Sequence, residues 1–184
     1  MFSHAIDRAL EVASAAHAGQ YRKNSDGVDY FIHPVHVALM LARAGLDEVC
    51  IQAGILHDVV EDCDDWTLER IESEFGVEVR TVVADLSEDK SKTWEERKAW
   101  AVLHVPDMDE RAVAVKAADK LHNLSCLLRD LQAAENPDDI WSKFNGGRER
   151  TLAMSGELVD ALASRVGADM RDALRAVVQD LSRL

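Results

Sequence analysis

The stretch Ala53-Gly54-Ile55-Leu56-His57-Asp58-Val59-Val60-Glu61-Asp62 is an apolar run that ends in four groups able to bind a proton or a metal ion. His57 and Glu61 are four apart, Asp58 and Asp62 are four apart, and Asp58 and Glu61 are three apart. On a helix this spacing gathers all four on one face. The preceding apolar residues and Val59-Val60 predict burial along much of that helix, so its polar face must look into something. Three carboxylates buried together are costly, because like charges and desolvation both oppose ionisation. A divalent cation resolves the conflict. The plainer alternative for Glu61 and Asp62 is an acidic helix end. That position opposes the helix dipole, which favours cations there, and the misfit marks them as working residues.

One helix cannot complete a metal site with an open coordination position. His33 stands before Pro34 at the end of a loop, where a fixed backbone can aim its imidazole, and Asp119 lies within Val115-Lys116-Ala117-Ala118-Asp119-Lys120-Leu121-His122-Asn123. Taken singly, each reads as a surface or capping residue. Joined to His57 and Asp58 they give two imidazoles and two carboxylates. That donor set suits Mn²⁺, Fe²⁺, Zn²⁺ or Co²⁺, and the absence of cysteine ligands argues against a structural zinc site. Open positions would take water and a phosphoryl oxygen.

The elements that must hold these groups read as helices almost throughout. Apolar residues recur at helical spacing at Ala5, Ala9, Val12 and Ala16, at Val37, Met40, Leu41 and Ala44, and at Val113, Ala117, Leu121, Leu124 and Leu128. The expected helices lie near 3–18, 35–45, 48–62, 67–75, 77–86, 94–105, 109–131, 138–144, 148–165 and 168–182. Thr93 with Glu96 has capping-box spacing, and Asn136-Pro137 reads as an N-cap followed by proline at the first helical position. The fold class is therefore all-α, about 8–10 helices in one domain over 1–184, with no alternating run long enough for a sheet. A polar loop over 19–34 carries Arg22 and Lys23. Residues 87–92 form a charged, solvated joint, and Trp141 and Phe144 read as core aromatics.

Composition sets outer bounds. Hydrophobic residues make up 47% and charged residues 30% of 184 residues, ordinary usage for a folded chain. The formal charge of −13 opposes binding to nucleic acid, whose phosphates call for a surplus of Lys and Arg. A small anionic substrate stays open, because a cation and a few basic residues can reverse the potential inside one cleft. Neither a membrane span nor a signal peptide is legible, so a cytoplasmic location is expected. Cys50, Cys63 and Cys126 lack CxxC spacing and read as buried thiols.

These residues resemble the HD-domain superfamily, specifically the hydrolase half of RelA/SpoT-type proteins and the stand-alone small alarmone hydrolases. The likeness runs from His17-x-Gly19-Gln20-x-Arg22-Lys23 through Tyr30-x-x-His33-Pro34, the His57-to-Asp62 run and Phe75-Gly76 to Lys116-x-x-Asp119-Lys120-Leu121-x-Asn123-Leu124. It covers a core of about 3–130, leaving about 131–184 as a helical extension. The resemblance implies a Mn²⁺-dependent 3′-pyrophosphohydrolase that removes pyrophosphate from guanosine tetra- or pentaphosphate. It makes His33, His57, Asp58 and Asp119 the metal ligands, and Glu61 and Asp62 the pair that orients and deprotonates the attacking water. Arg22, Lys23 and Asn123 would touch the nucleotide. Residues 141–148 depart from the bifunctional synthetase-hydrolases, and Thr151 to Met154 lack the aromatic that alarmone hydrolases often place near the base. An HD phosphohydrolase acting on another nucleotide or phosphorylated metabolite, and a noncatalytic nucleotide sensor, are the alternative readings.

Overall fold

A computed structural model describes residues 2–23 and 27–184. Among the described residues eleven α-helical segments follow one another: α1 His4–Ala16, α2 Ile32–Arg43, α3 Glu48–Leu56, α4 Val59–Asp62, α5 Leu68–Phe75, α6 Val77–Leu86, α7 Trp94–His104, α8 Glu110–Ala133, α9 Pro137–Trp141, α10 Gly147–Ala163 and α11 Ala168–Ser182. Among the described residues the sole sheet-like pairing is an isolated bridge between Tyr21 and Asp29. The all-α expectation holds.

Capping residues set where helices begin. The side chains of Ser3, Asp47 and Thr67 accept from the backbone N–H groups of Ile6, Cys50 and Arg70, each satisfying a donor that the first turn leaves open. Thr93 and Glu96 form the expected capping box, and Asn136 caps α9 ahead of Pro137.

Two differences from the expected helices bear on the site. First, α2 begins at Ile32, so His33 and Pro34 lie in its first turn and not in the loop before it. Proline is tolerated there because first-turn N–H groups have no intrahelical acceptor to lose. Second, the expected helix over 48–62 is broken. His57 and Asp58 form a turn between α3 and α4, although both keep backbone angles near the right-handed helical region.

The chain divides into two compact units, the first comprising 1–87 and 109–119 and the second 88–108 and 120–184. In the first, α2 and α3 form a hairpin across residues 44–47, where Gly45 takes a φ of 76°. The packed pairs are α2 with α3, α1 with α3, α3 with α6, and α5 with α6. The core of this unit includes Leu41, Ile55, Leu56, Ile71 and Val83, all fully buried or nearly so. In the second unit α10 packs against α7 and α11. Trp141 is buried there as expected, and Arg97 and Lys98 pair with Glu88 at 3.1 and 2.7 Å.

Candidate metal centre

The α2–α3 hairpin creates the site. Its two helices run in opposite directions over similar lengths, so His33, near the start of α2, and His57, just past the end of α3, arrive at the same end. Gly54 permits the close approach: a Cβ there would lie 2.5 Å from Leu41 Cδ1. The Nε2 atoms of His33 and His57 stand 3.3 Å apart, and both rings are almost wholly buried.

Asp119 arrives by register along α8. The guanidinium of Arg111 grips Asp47, the N-cap of α3, through Nη2 at 2.6 Å and Nε at 2.8 Å. Eight residues further, about 12 Å along a helix, Asp119 reaches the level at which α3 ends. Its Oδ1 lies 3.2 Å from His33 Nε2 and 3.9 Å from His57 Nε2. Asp58, in the turn itself, brings Oδ2 to 3.1 Å from His57 Nε2 and 3.5 Å from His33 Nε2. The ligand atoms of His33, His57 and Asp58 all lie within 4.8 Å of one another.

The donor chemistry fits a divalent cation. His57 Nδ1 lies 2.9 Å from the Gly54 carbonyl, which can only accept, so Nδ1 carries a proton and Nε2 is the ring atom that faces the cluster. The electrostatics agree. Burial opposes a charge on His57, yet the Asp58 carboxylate beside it, with Asp119, outweighs burial and pushes its pKa up to about 9. Burial likewise works against ionisation of Asp58, but His57 and His33 hold it far below the usual carboxylate range. Asp119 moves down too, against burial, through its hydrogen bond to His33 and the charge of His57. Protein groups that draw a proton onto a buried imidazole form a place where positive charge is favoured.

Glu61 and Asp62 sit on the single turn of α4, where Asp62 N–H donates to the Asp58 carbonyl at 2.9 Å. Glu61 is half-buried and Asp62 exposed, so the acidic face is not buried along its whole length. Asp62 borders a cleft of about 550 Å³ shared with Arg8, Gln20, Trp66 and Arg70. Arg22 is half-buried, its guanidinium carbon 5.5 Å from the centre of the Tyr30 ring; Lys23 is exposed. Residues 24–26 of the same loop lie outside the described residues. Asn123 is half-buried on the part of α8 that belongs to the second unit.

Three neighbours of the centre had no role in the sequence reading. Tyr30 donates its hydroxyl to Asp58 Oδ2 at 2.5 Å. Gln20 donates from Nε2 to the Asp62 carbonyl at 3.0 Å and accepts from His17 Nδ1 at 2.8 Å. All three belong to the His17-to-His33 stretch, where their spacing was the one available signal.

The model of the HD domain matches residues 9–151. This chain belongs to the HD-domain family. It is an HD protein of the RelA/SpoT-like kind by its relatives. It is 40% identical over 153 residues to a Xenopus tropicalis protein named guanosine-3′,5′-bis(diphosphate) 3′-pyrophosphohydrolase MESH1, covering 82% of this chain and 85% of that one. To the Homo sapiens protein of the same name it is 42% identical over 123 residues, 66% of this chain and 68% of that one. Among solved structures, a metazoan ortholog of SpoT described as hydrolysing ppGpp aligns with a TM-score of 0.85 at 29% identity, over 100% of this chain and 99% of that one. A Listeria monocytogenes EGD-e protein aligns with a TM-score of 0.72 at 32% identity, over 82% and 99%. In this HD chain the two imidazoles and two carboxylates described above converge at one end of the α2–α3 hairpin.

Proposed function

We propose that this HD protein is a Mn²⁺-dependent 3′-pyrophosphohydrolase of guanosine 3′,5′-bis(diphosphate) and its pentaphosphate relative, acting through one domain over 1–184. The observation that carries the reading is the convergence of His33, His57, Asp58 and Asp119, with His57 Nε2 turned toward the other three. Likeness to proteins named for that reaction supplies the substrate. Nitrogen and oxygen donors without thiolate suit Mn²⁺. Cys50 and Cys63 are free and buried, which suits the reducing cytoplasm. Among the described residues no helix is long and apolar enough to cross a membrane.

His33, His57, Asp58 and Asp119 would hold the ion. A bound divalent cation supplies Lewis-acid polarisation of a phosphoryl oxygen and acidifies water. The protein's own contributions follow from its geometry. The Gly54 carbonyl keeps the His57 tautomer fixed. Glu61 and Asp62, one helical turn beyond the ligand pair, orient the attacking water and take its proton. Arg22, carried beside Tyr30, and Lys23 in the same loop meet the negative charge of the diphosphates, a demand that the chain's overall charge of −13 does not serve. Asn123 contacts the ribose or a phosphate edge.

The test is incubation of the purified full chain with guanosine tetraphosphate, with and without Mn²⁺, with products resolved by ion exchange. GDP and pyrophosphate in equal amounts, formed in the presence of Mn²⁺, are the expected result. Release of single phosphates, or no turnover by protein with bound metal, would overturn the substrate assignment.

A further inference from the structure

We propose that the Tyr30 hydroxyl is a positioning group for the metal centre: it fixes the rotamer of Asp58 and thereby sets the affinity for the cation. The inference rests on the reading of His33, His57, Asp58 and Asp119 as that centre.

Asp58 is the ligand least constrained by secondary structure. It occupies the two-residue turn between α3 and α4, and its side chain keeps 19% of its exposure. A carboxylate in such a place has two torsions to lose on binding a cation, and each costs free energy unless something orders it beforehand. Tyr30 supplies that order. Its hydroxyl meets Oδ2 at 2.5 Å, the short distance expected when the acceptor is ionised. The same Oδ2 faces His57 Nε2 and His33 Nε2 at 3.1 and 3.5 Å. An ionised carboxylate oxygen offers two lone pairs, so the phenol can occupy one and leave the other toward the imidazoles.

The phenol is itself held. Tyr30 N–H donates to the Gln20 carbonyl at 2.9 Å, and the Tyr30 carbonyl accepts from His33 N–H at 2.9 Å. Its ring packs against His17 at 4.9 Å between centroids and edge-on against His33 at 5.7 Å. Burial, then the charge of Asp58, pushes its pKa far above the ordinary range for a phenol, so the hydroxyl keeps its proton and remains the donor. Tyr30→Phe removes this one oxygen and leaves the ring contacts and the Arg22 approach intact.

The experiment is a calorimetric titration of the full chain with Mn²⁺ alone, for wild type, Tyr30→Phe and Tyr21→Phe, with kcat followed as Mn²⁺ is raised. Tyr21 is the control because it is 60% exposed. The expected result is a Kd weakened about 10- to 100-fold in Tyr30→Phe, the range for loss of a group that orients a metal ligand. Tyr21→Phe should match wild type, and excess Mn²⁺ should return turnover to Tyr30→Phe, which a merely misfolded site would not show. An unchanged Kd in Tyr30→Phe would overturn this proposal and leave the metal centre standing. No uptake by wild type would overturn the centre and the proposal with it. Should Tyr30→Phe fail to fold, fluorotyrosine-labelled wild-type chain titrated with diamagnetic Zn²⁺ gives the answer, since it has two tyrosines. The Tyr30 resonance should shift until one equivalent is bound, and a Tyr30 signal that stays put would overturn the proposal.

Discussion

At the scale of residues, division of labour between ligands and acid–base groups is the point most open to test. Glu61→Gln keeps the size of the side chain and removes its basicity. The expected outcome is a kcat lowered by about 10²- to 10⁴-fold, the span of general acid–base contributions, with KM and metal content close to wild type. Unchanged kcat would remove Glu61 from the mechanism. A candidate centre at His57 and Asp58 could be read in the sequence because four acid or imidazole groups within six residues, after an apolar run, have no economical structural explanation. Tyr30 could not be read in the same way. A tyrosine ahead of an apolar helix is usually an amphipathic core residue, and only the fold shows that its oxygen reaches Asp58, 28 positions away.

At the scale of elements, the hairpin of α2 and α3 carries both imidazoles, and Gly54 sets its spacing. Gly54→Ala places a methyl group 2.5 Å from Leu41 Cδ1, and Leu41 is 1% exposed, with little room to withdraw. A loss of about 1–3 kcal/mol is expected from such overpacking, read as a lower midpoint in denaturant, together with weaker Mn²⁺ binding as His33 and His57 are pushed apart. Wild-type stability and affinity would contradict this account of the hairpin. Helix existence was legible from the 3.6-residue period and the cap signals at Thr93 and Asn136. The break at His57-Asp58 was not, since both residues retain near-helical backbone angles and no glycine or proline marks it. The start of α2 was also missed. Proline after His33 suggests an extended residue before it, whereas here both enter the first turn. The four-residue α4 is too short to persist by propensity. The bond from Gln20 to the Asp62 carbonyl and that from the Cys63 thiol to the Ala16 carbonyl at 3.3 Å hold its end against the end of α1.

At the scale of the whole molecule, long-range links decide whether distant segments meet in register. The pair Arg111 and Asp47, 64 residues apart, aligns α8 with α3 inside the first unit. Asp47→Ala removes both a helix cap and this pair. An exposed pair is screened by solvent and adds little, so the expected loss is about 1 kcal/mol at pH 7, mostly from the cap. The pH dependence has a definite sign. The hydrogen bonds that Asp47 accepts from Arg111 and from Cys50 N–H hold its pKa below the usual carboxylate range. The stabilisation from its charge is therefore complete above the unfolded-state pKa near 4 and fades as pH falls through the lower folded-state value. Urea unfolding of wild type and Asp47→Ala should differ most near neutrality and converge in acid. A gap that widens in acid would contradict the assignment. The division into two units was not legible, because its last boundary falls between Asp119 and Lys120 within continuous α8, where no linker composition announces it.

The measurement that bears most directly on the account is metal content per chain, by elemental analysis after Mn²⁺ loading and desalting, for wild type and Asp119→Ala, with turnover of guanosine tetraphosphate recorded on the same samples. The account predicts about one ion per wild-type chain, and a folded Asp119→Ala protein that has lost most of its metal and its turnover together. Wild-type metal content and turnover in Asp119→Ala would contradict it.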